Sequence, residues 1–213
     1  MDEKYVKLMT TRPELFCNLP GGIEILTSAE QISQVEQDYG MTVGVVYEDE
    51  YLTLIKDAVR FADGTVGPYI RAYHKNPGGV SVMVLCESKI LLLRHFRHSL
   101  RRWMWETPRG FCEEGQTADQ NALRELTEEI GVMPTKLQHL GTLVPDAGII
   151  GESVQLYLAR IAPDSAIVTE KHEGIEGAAL FTKEQMEQAI LSGEITDGIT
   201  IASLTYATLQ GLI

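Results

Sequence analysis

The sequence predicts an α/β fold in which a small antiparallel sheet precedes a larger domain of strands and helices. β-rich segments separated by short polar breaks run from Met41 onward. Asn76-Pro77-Gly78-Gly79 then breaks the pattern and divides the chain. Residues 1–76 become an N-terminal extension with a small sheet, and residues 77–213 the larger domain. Inside the second part, a capped, glycine-terminated helix lies between predicted strands.

Taken in order, residues 1–40 show the least pattern. Gly21-Gly22 marks a turn. Ser28 with Gln31 forms a capping box ahead of Ala29, Ile32 and Val35, which predicts a helix over 28–38. Met41–Tyr47, Tyr51–Lys56 and Ala58–Phe61 read as three separate strands. Asp63-Gly64 is a hairpin signal, and Val66–Tyr73 is the returning strand. Beyond the break, Val80–Cys86 and Lys89–Phe96 form a hairpin turning near Glu87-Ser88. Trp103–Thr107 leads through Pro108 into a glycine-bounded loop, Gly110 to Gln116.

Thr117 with Gln120 opens the next helix as a capping box, and Gly131 closes it in a position where glycine tolerates a left-handed backbone. Ala118, Ala122, Leu126 and Ile130, with Leu123 beside them, form its buried stripe. Leu137–Val144, Val154–Ile161 and Ile175–Phe181 read as strands. Thr182 with Gln185 caps a helix to about Ser192, and Asp197 caps a last one to about Leu209.

With 213 residues and 44% hydrophobic content, the chain has ample material for a core. A net charge of −12 opposes binding to a nucleic-acid backbone, which needs Lys and Arg patches. Cys17, Cys86 and Cys112 are odd in number and widely spaced, as expected of reduced thiols in a cytoplasmic protein. No stretch reads as a signal peptide or as a membrane helix of about 20 apolar residues.

The chemistry is concentrated on the helix after the glycine loop. Glu125, Glu128 and Glu129 fall at i, i+3 and i+4, so three carboxylates share one turn. Like charges at this spacing cost roughly 0.2–0.5 kcal/mol per pair. Arg124, four residues before Glu128, relieves part of that cost. A solvated acidic face would account for the spacing alone. The glycine loop at a fixed offset favours a second reading, a site for a hard divalent cation, Mg²⁺ with Mn²⁺ as alternative.

The stretch Gly110 to Val132 resembles the Nudix box, G-x5-E-x7-R-E-U-x-E-E-x-G-U, with U aliphatic. Gly110, Arg124, Glu125, Leu126, Glu128, Glu129, Gly131 and Val132 match, and Gln116 stands where the family has Glu. The wider chain, about residues 42–210, is similar to the ADP-ribose pyrophosphatase branch. Leu93-Arg94-His95-Phe96-Arg97 resembles its V-R-Q-Y-R strand. Trp105-Glu106-Thr107-Pro108-Arg109-Gly110 resembles W-E-L-P-A-G, with Arg109 replacing Ala. Gly148 to Glu152 resembles the P-G-x-x-x-E loop without its Pro, and Glu170 to Glu176 an acidic loop before a late strand.

The resemblance implies a Nudix α/β/α sandwich and hydrolysis of ADP-ribose or a similar nucleotide sugar. It implies metal ligation by Glu125, Glu128, Glu129 and the backbone carbonyl of Arg109. Arg124 would orient the glutamates. Glu173 is the candidate general base, with Glu152 second. Arg97 and Glu106 would contact substrate, and Arg71, from the N-terminal sheet, is carried with them. Relatives pair through that sheet, so a homodimer is expected. Gln116 keeps open a non-catalytic nucleotide-sugar sensor, beside a Nudix hydrolase for another nucleoside diphosphate compound.

Overall fold

The computed structural model describes residues 2–169 and 174–213. The chain forms two compact units. One comprises Met1–Lys75 with Asp146–Gly151, the other Asn76–Pro145 with Glu152–Ile213.

The first unit contains α1 (Glu3–Thr11), a 3-10 turn at Pro13–Phe16, β1 (Glu24–Ile25), α2 (Ala29–Tyr39), β2 (Gly44–Glu48), β3 (Leu52–Arg60) and β4 (Val66–His74). Asp2 caps α1 and Ser28 caps α2. Neither α1 nor β1 was legible in the sequence: α1 buries only Tyr5, and β1 is two residues long. β3 is the centre of the sheet. Its whole length pairs antiparallel with β4, and its other edge takes β2 and then β1.

The expected division of β3 at Asp57 is corrected. Asp57 is 1% exposed, yet Tyr5 Oη donates to one of its oxygens and Arg71 pairs with both. A partnered carboxylate is tolerated inside a strand, so the polar residue that reads as a break is an interior position. Asp146–Gly151 adds to the outer edge of β4, where the Ala72 N–H donates to the Ile149 carbonyl and Gly151 returns a bond to Ala72.

The second unit contains β5 (Gly79–Cys86), β6 (Lys89–Arg97), β7 (Arg102–Glu106), β8 (Arg109–Phe111), α3 (Ala118–Ile130), β9 (Lys136–Leu143), β10 (Val154–Ile161), β11 (Ile175–Phe181), α4 (Lys183–Leu191) and α5 (Gly198–Leu209). Its sheet runs β11-β6-β5-β10-β9. β7 is paired to the end of β6, and β8 to the start of β5. β10 lies parallel to β5 over its full length, and the other pairings are antiparallel.

Strand alternation builds a layer on each face. Val80, Val82 and Val84 of β5 pack with Tyr157 and Ala159 of β10 against Ala122, Leu126 and Ile130 of α3. Met83 and Leu85, with Leu156 and Leu158, face Met186 of α4 and Leu204 of α5. Each large aliphatic side chain so buried contributes about 1.5–3 kcal/mol. The result is the α/β/α sandwich expected, with α3 on one face and α4 and α5 on the other. Gly110 and Phe111, expected as the start of the loop Gly110 to Gln116, belong with Arg109 to the short strand β8, because its backbone completes the edge of β5 left uncovered by β6.

Candidate active site

α3 is held at both ends by its own sequence. The Gln120 N–H donates to Thr117 Oγ1 at 3.3 Å, and the Thr117 N–H to Gln120 Oε1 at 2.8 Å. Gly131, at φ +67°, closes the helix in the left-handed region. With Ala122, Leu126 and Ile130 turned into the sheet, Glu125 and Glu129 fall on the border of the buried face. They are 5% and 1% exposed. Glu128 points outward, its side chain 47% exposed.

Three carboxylates share one guanidinium. Arg124 Nη2 donates to Glu125 Oε1 at 2.6 Å and to the Phe111 carbonyl at 2.8 Å, and Nη1 to Glu128 Oε2 at 2.6 Å. Nε stands 3.6 Å from Glu113 Oε1. Burial works against the Arg124 charge, but Glu125, Glu128 and Glu113 outweigh it and hold its pKa above the usual arginine value.

Gly110 is needed for contact with this cluster. A Cβ there would stand 2.2 Å from Glu125 Oε1 and 2.3 Å from its Cδ. The backbone of β8 therefore lies directly on the Glu125 carboxylate. One residue earlier, the Arg109 N–H donates to Glu129 Oε2 at 3.0 Å. β8 thus lies against both buried glutamates of α3.

A second cluster adjoins the first through Arg109. Glu106 is 1% exposed, and its Oε2 accepts from Arg97 Nε at 2.7 Å and pairs with Arg109 Nη2 at 2.9 Å. Glu106 Oε1 is buried with no hydrogen-bond partner among the described residues. Arg109 Nη1 donates to Asp197 Oδ1 at 2.9 Å, while Asp197 Oδ2 accepts from the Thr200 N–H and Oγ1 at the start of α5. Thr200 Oγ1 in turn accepts from the Thr107 N–H at 3.0 Å.

The remaining sequence candidates fall in different places. Glu152 lies two residues before β10, whose register with β5 puts it at the sheet end that carries β8. Glu173 and His172 lie outside the described residues; next to them, the Gly174 carbonyl accepts from the Phe96 N–H at 2.9 Å. Arg71, the remaining candidate substrate contact, lies in the first unit on β4. Its guanidinium holds Asp57, the Leu15 carbonyl and Tyr73 Oη, and packs over the Phe16 ring.

The Gln116 side-chain amide donates to the Glu113 carboxylate. Cys112 is buried, and burial pushes its thiol above the usual range, consistent with a packing residue. Sequence reading missed Glu113 as a neighbour of Arg124. It also missed the link from Arg109 to Asp197, which are 88 residues apart. Asp197 was legible only as a helix cap.

Among the described residues, no three His, Cys, Asp or Glu side chains already converge on one point. The donor set nevertheless suits a hard divalent cation. Glu113, Glu125 and Glu128 put more carboxylate charge around Arg124 than one guanidinium offsets, and all three offer oxygen donors.

The family described as NUDIX domain matches residues 75–201, more than half of the chain. The protein is a pyrophosphohydrolase by class. It belongs to the Nudix family. It is 28% identical over 170 residues to an ADP-ribose pyrophosphatase of Bacillus subtilis (strain 168), covering 78% of this chain and 89% of that one. It is 29% identical over 170 residues to a CMP-5'-(N-acetyl-N-hydroxy-3-aminopropyl)phosphonate hydrolase of Streptomyces rubellomurinus, covering 78% and 81%. The crystal structure of an ADP compounds hydrolase matches with a TM-score of 0.66 over 81% of this chain and 95% of that one. At 17% identity that match speaks to the fold alone.

Proposed function

We propose that the protein hydrolyses the diphosphate of ADP-ribose or a similar nucleoside diphosphate sugar, releasing a nucleoside monophosphate and a sugar phosphate. The observation that carries this reading is the contact of Gly110 with Glu125, beneath an Arg124 that gathers Glu125 and Glu128. The 28% identity to an ADP-ribose pyrophosphatase along most of both chains supports the substrate class.

Glu125, Glu128, Glu129 and the Arg109 carbonyl would hold Mg²⁺, or Mn²⁺ in its place. Such an ion supplies charge neutralisation on the diphosphate and acidifies an attacking water. Arg124 orients Glu125 and Glu128 through its two hydrogen bonds. Water adds to one phosphorus, the bridging P–O bond breaks, and the departing phosphate leaves as an anion. Glu173 removes the proton from that water, with Glu152 as the second candidate. Arg97, which is paired with Glu106, would clamp a phosphate, and Glu106 would bind a ribose hydroxyl. The substrate is a small molecule rather than nucleic acid, in keeping with the −12 charge. The working form is a homodimer.

The test is a panel of nucleotide sugars with Mg²⁺, products resolved by chromatography. ADP-ribose should yield AMP and ribose 5-phosphate. Inert ADP-ribose beside turnover of nucleoside triphosphates would remove this reading. The relative named as a CMP-phosphonate hydrolase favours a second one, a different nucleoside diphosphate compound, which the same panel would reveal as a preferred cytidine substrate.

A further inference from the structure

The first unit contains a cavity of about 330 Å³ between α1 and the sheet that no step of hydrolysis uses. Its volume is at the lower end of the range typical of small-molecule sites. Lys4, Lys7, Arg12 and Lys75 line it, against the single acid Glu48. The whole chain has 18 Lys and Arg against 30 Asp and Glu, so the sign of the charge reverses locally. Solvated surface lysines would scatter among the acids rather than gather on one hollow.

Apolar surface is present beside these cations: Leu8 of α1 and Tyr73 of β4 also line the cavity. Glu48 sits between two of the cations, with Lys4 Nζ 3.2 Å from one oxygen and Lys75 Nζ on the other. Arg12 is paired with Glu14 at the rim. Lys7 has no ion pair among the described residues. Glu48 therefore acts as a built-in counter-ion for part of a charge excess that an incoming anion would complete or replace.

We propose that this cavity binds a small organic phosphate no larger than a nucleoside monophosphate. The phosphate lies against Lys7 and Lys75, and the apolar body rests on Leu8 and Tyr73. Because Glu48 competes for Lys75, removing its charge strengthens binding.

The experiment uses the full chain in metal-free buffer, titrated separately with AMP and with inorganic phosphate while backbone amide resonances are followed by NMR. AMP should shift the amides of Lys7, Val45 and Tyr73 with a Kd on the order of 1 mM or tighter, and more tightly than inorganic phosphate. Lys7→Ala with Lys75→Ala should weaken AMP by about tenfold or more, with ionic strength acting in the same direction. Glu48→Gln should tighten it by about threefold, a gain that a misfolded variant cannot imitate. The proposal is overturned if AMP leaves the first-unit amides in place, if the double variant binds as tightly as the natural protein, or if Glu48→Gln weakens binding. Inorganic phosphate binding as well as AMP would overturn the role of Leu8 and Tyr73.

Discussion

At the scale of single residues, the site depends on what Gly110 lacks. A methyl group there meets the end of the Glu125 side chain, a flexible group that moves more cheaply than backbone. Gly110→Ala should therefore cost little stability and most of the activity, because the carboxylate is what shifts. Glu125→Gln should likewise lower kcat by orders of magnitude while leaving the fold intact, as read by circular dichroism beside the rate. Full activity in either variant would falsify the role given to Glu125. Gln116 is a different case. Its amide donates to Glu113, the acid nearest Arg124 Nε, so Gln116→Glu would set two carboxylates against each other. A change remote from the ligands typically costs 10- to 100-fold at most, so kcat should move by less than roughly 100-fold. A natural protein with no turnover, restored by Gln116→Glu, would make it a sensor instead.

At the scale of elements, Arg109 joins β8 to the end of β7 and to the start of α5. Its side chain holds Glu106 and Asp197, and its N–H holds Glu129 on α3. The partners Glu106 and Asp197 are buried, and truncating one member of such a cluster strands the others. Arg109→Ala should cost about 3 kcal/mol, the low end for breaking a buried pair, since Arg97 still serves Glu106. Urea unfolding gives that number directly; a loss below about 0.5 kcal/mol would show the cluster to be solvated in practice. Because the Arg109 N–H survives the substitution, activity should fall less than in Glu125→Gln. An equal loss would mean that the side chain itself meets the substrate.

At the scale of the whole molecule, the first unit presents a small sheet, four strands with β1 only two residues long. Sheets of this size leave edges that a protein covers or pairs. β4 is partly covered by Asp146–Gly151, whereas Val46, Tyr47, Tyr51 and Ile70 stay exposed on this unit. We expect a homodimer through it. Sedimentation at micromolar concentration should give twice the mass of the chain, and a fully active monomer would contradict the expectation. No helix among the described residues is long and apolar enough to cross a membrane.

Periodicity and end signals were enough to place α3, α4 and α5 with their caps, and strand patterns to place β4, β5, β6, β10 and β11. These are local interactions, between residues three or four apart or across one turn, and they leave a trace in the order of residues. The glycine loop and the spacing of Glu125, Glu128 and Glu129 belong to the same class. What the order of residues could not show is which polar groups meet across the fold. Asp57 reads as a break until Tyr5, 52 positions away, supplies a donor. Arg109 reads as a departure from a motif until Asp197 and Glu106 are brought around it. Only the packing within each unit brings such residues close enough to exclude water between them, and only then does a charge that would be ordinary on a surface require a partner.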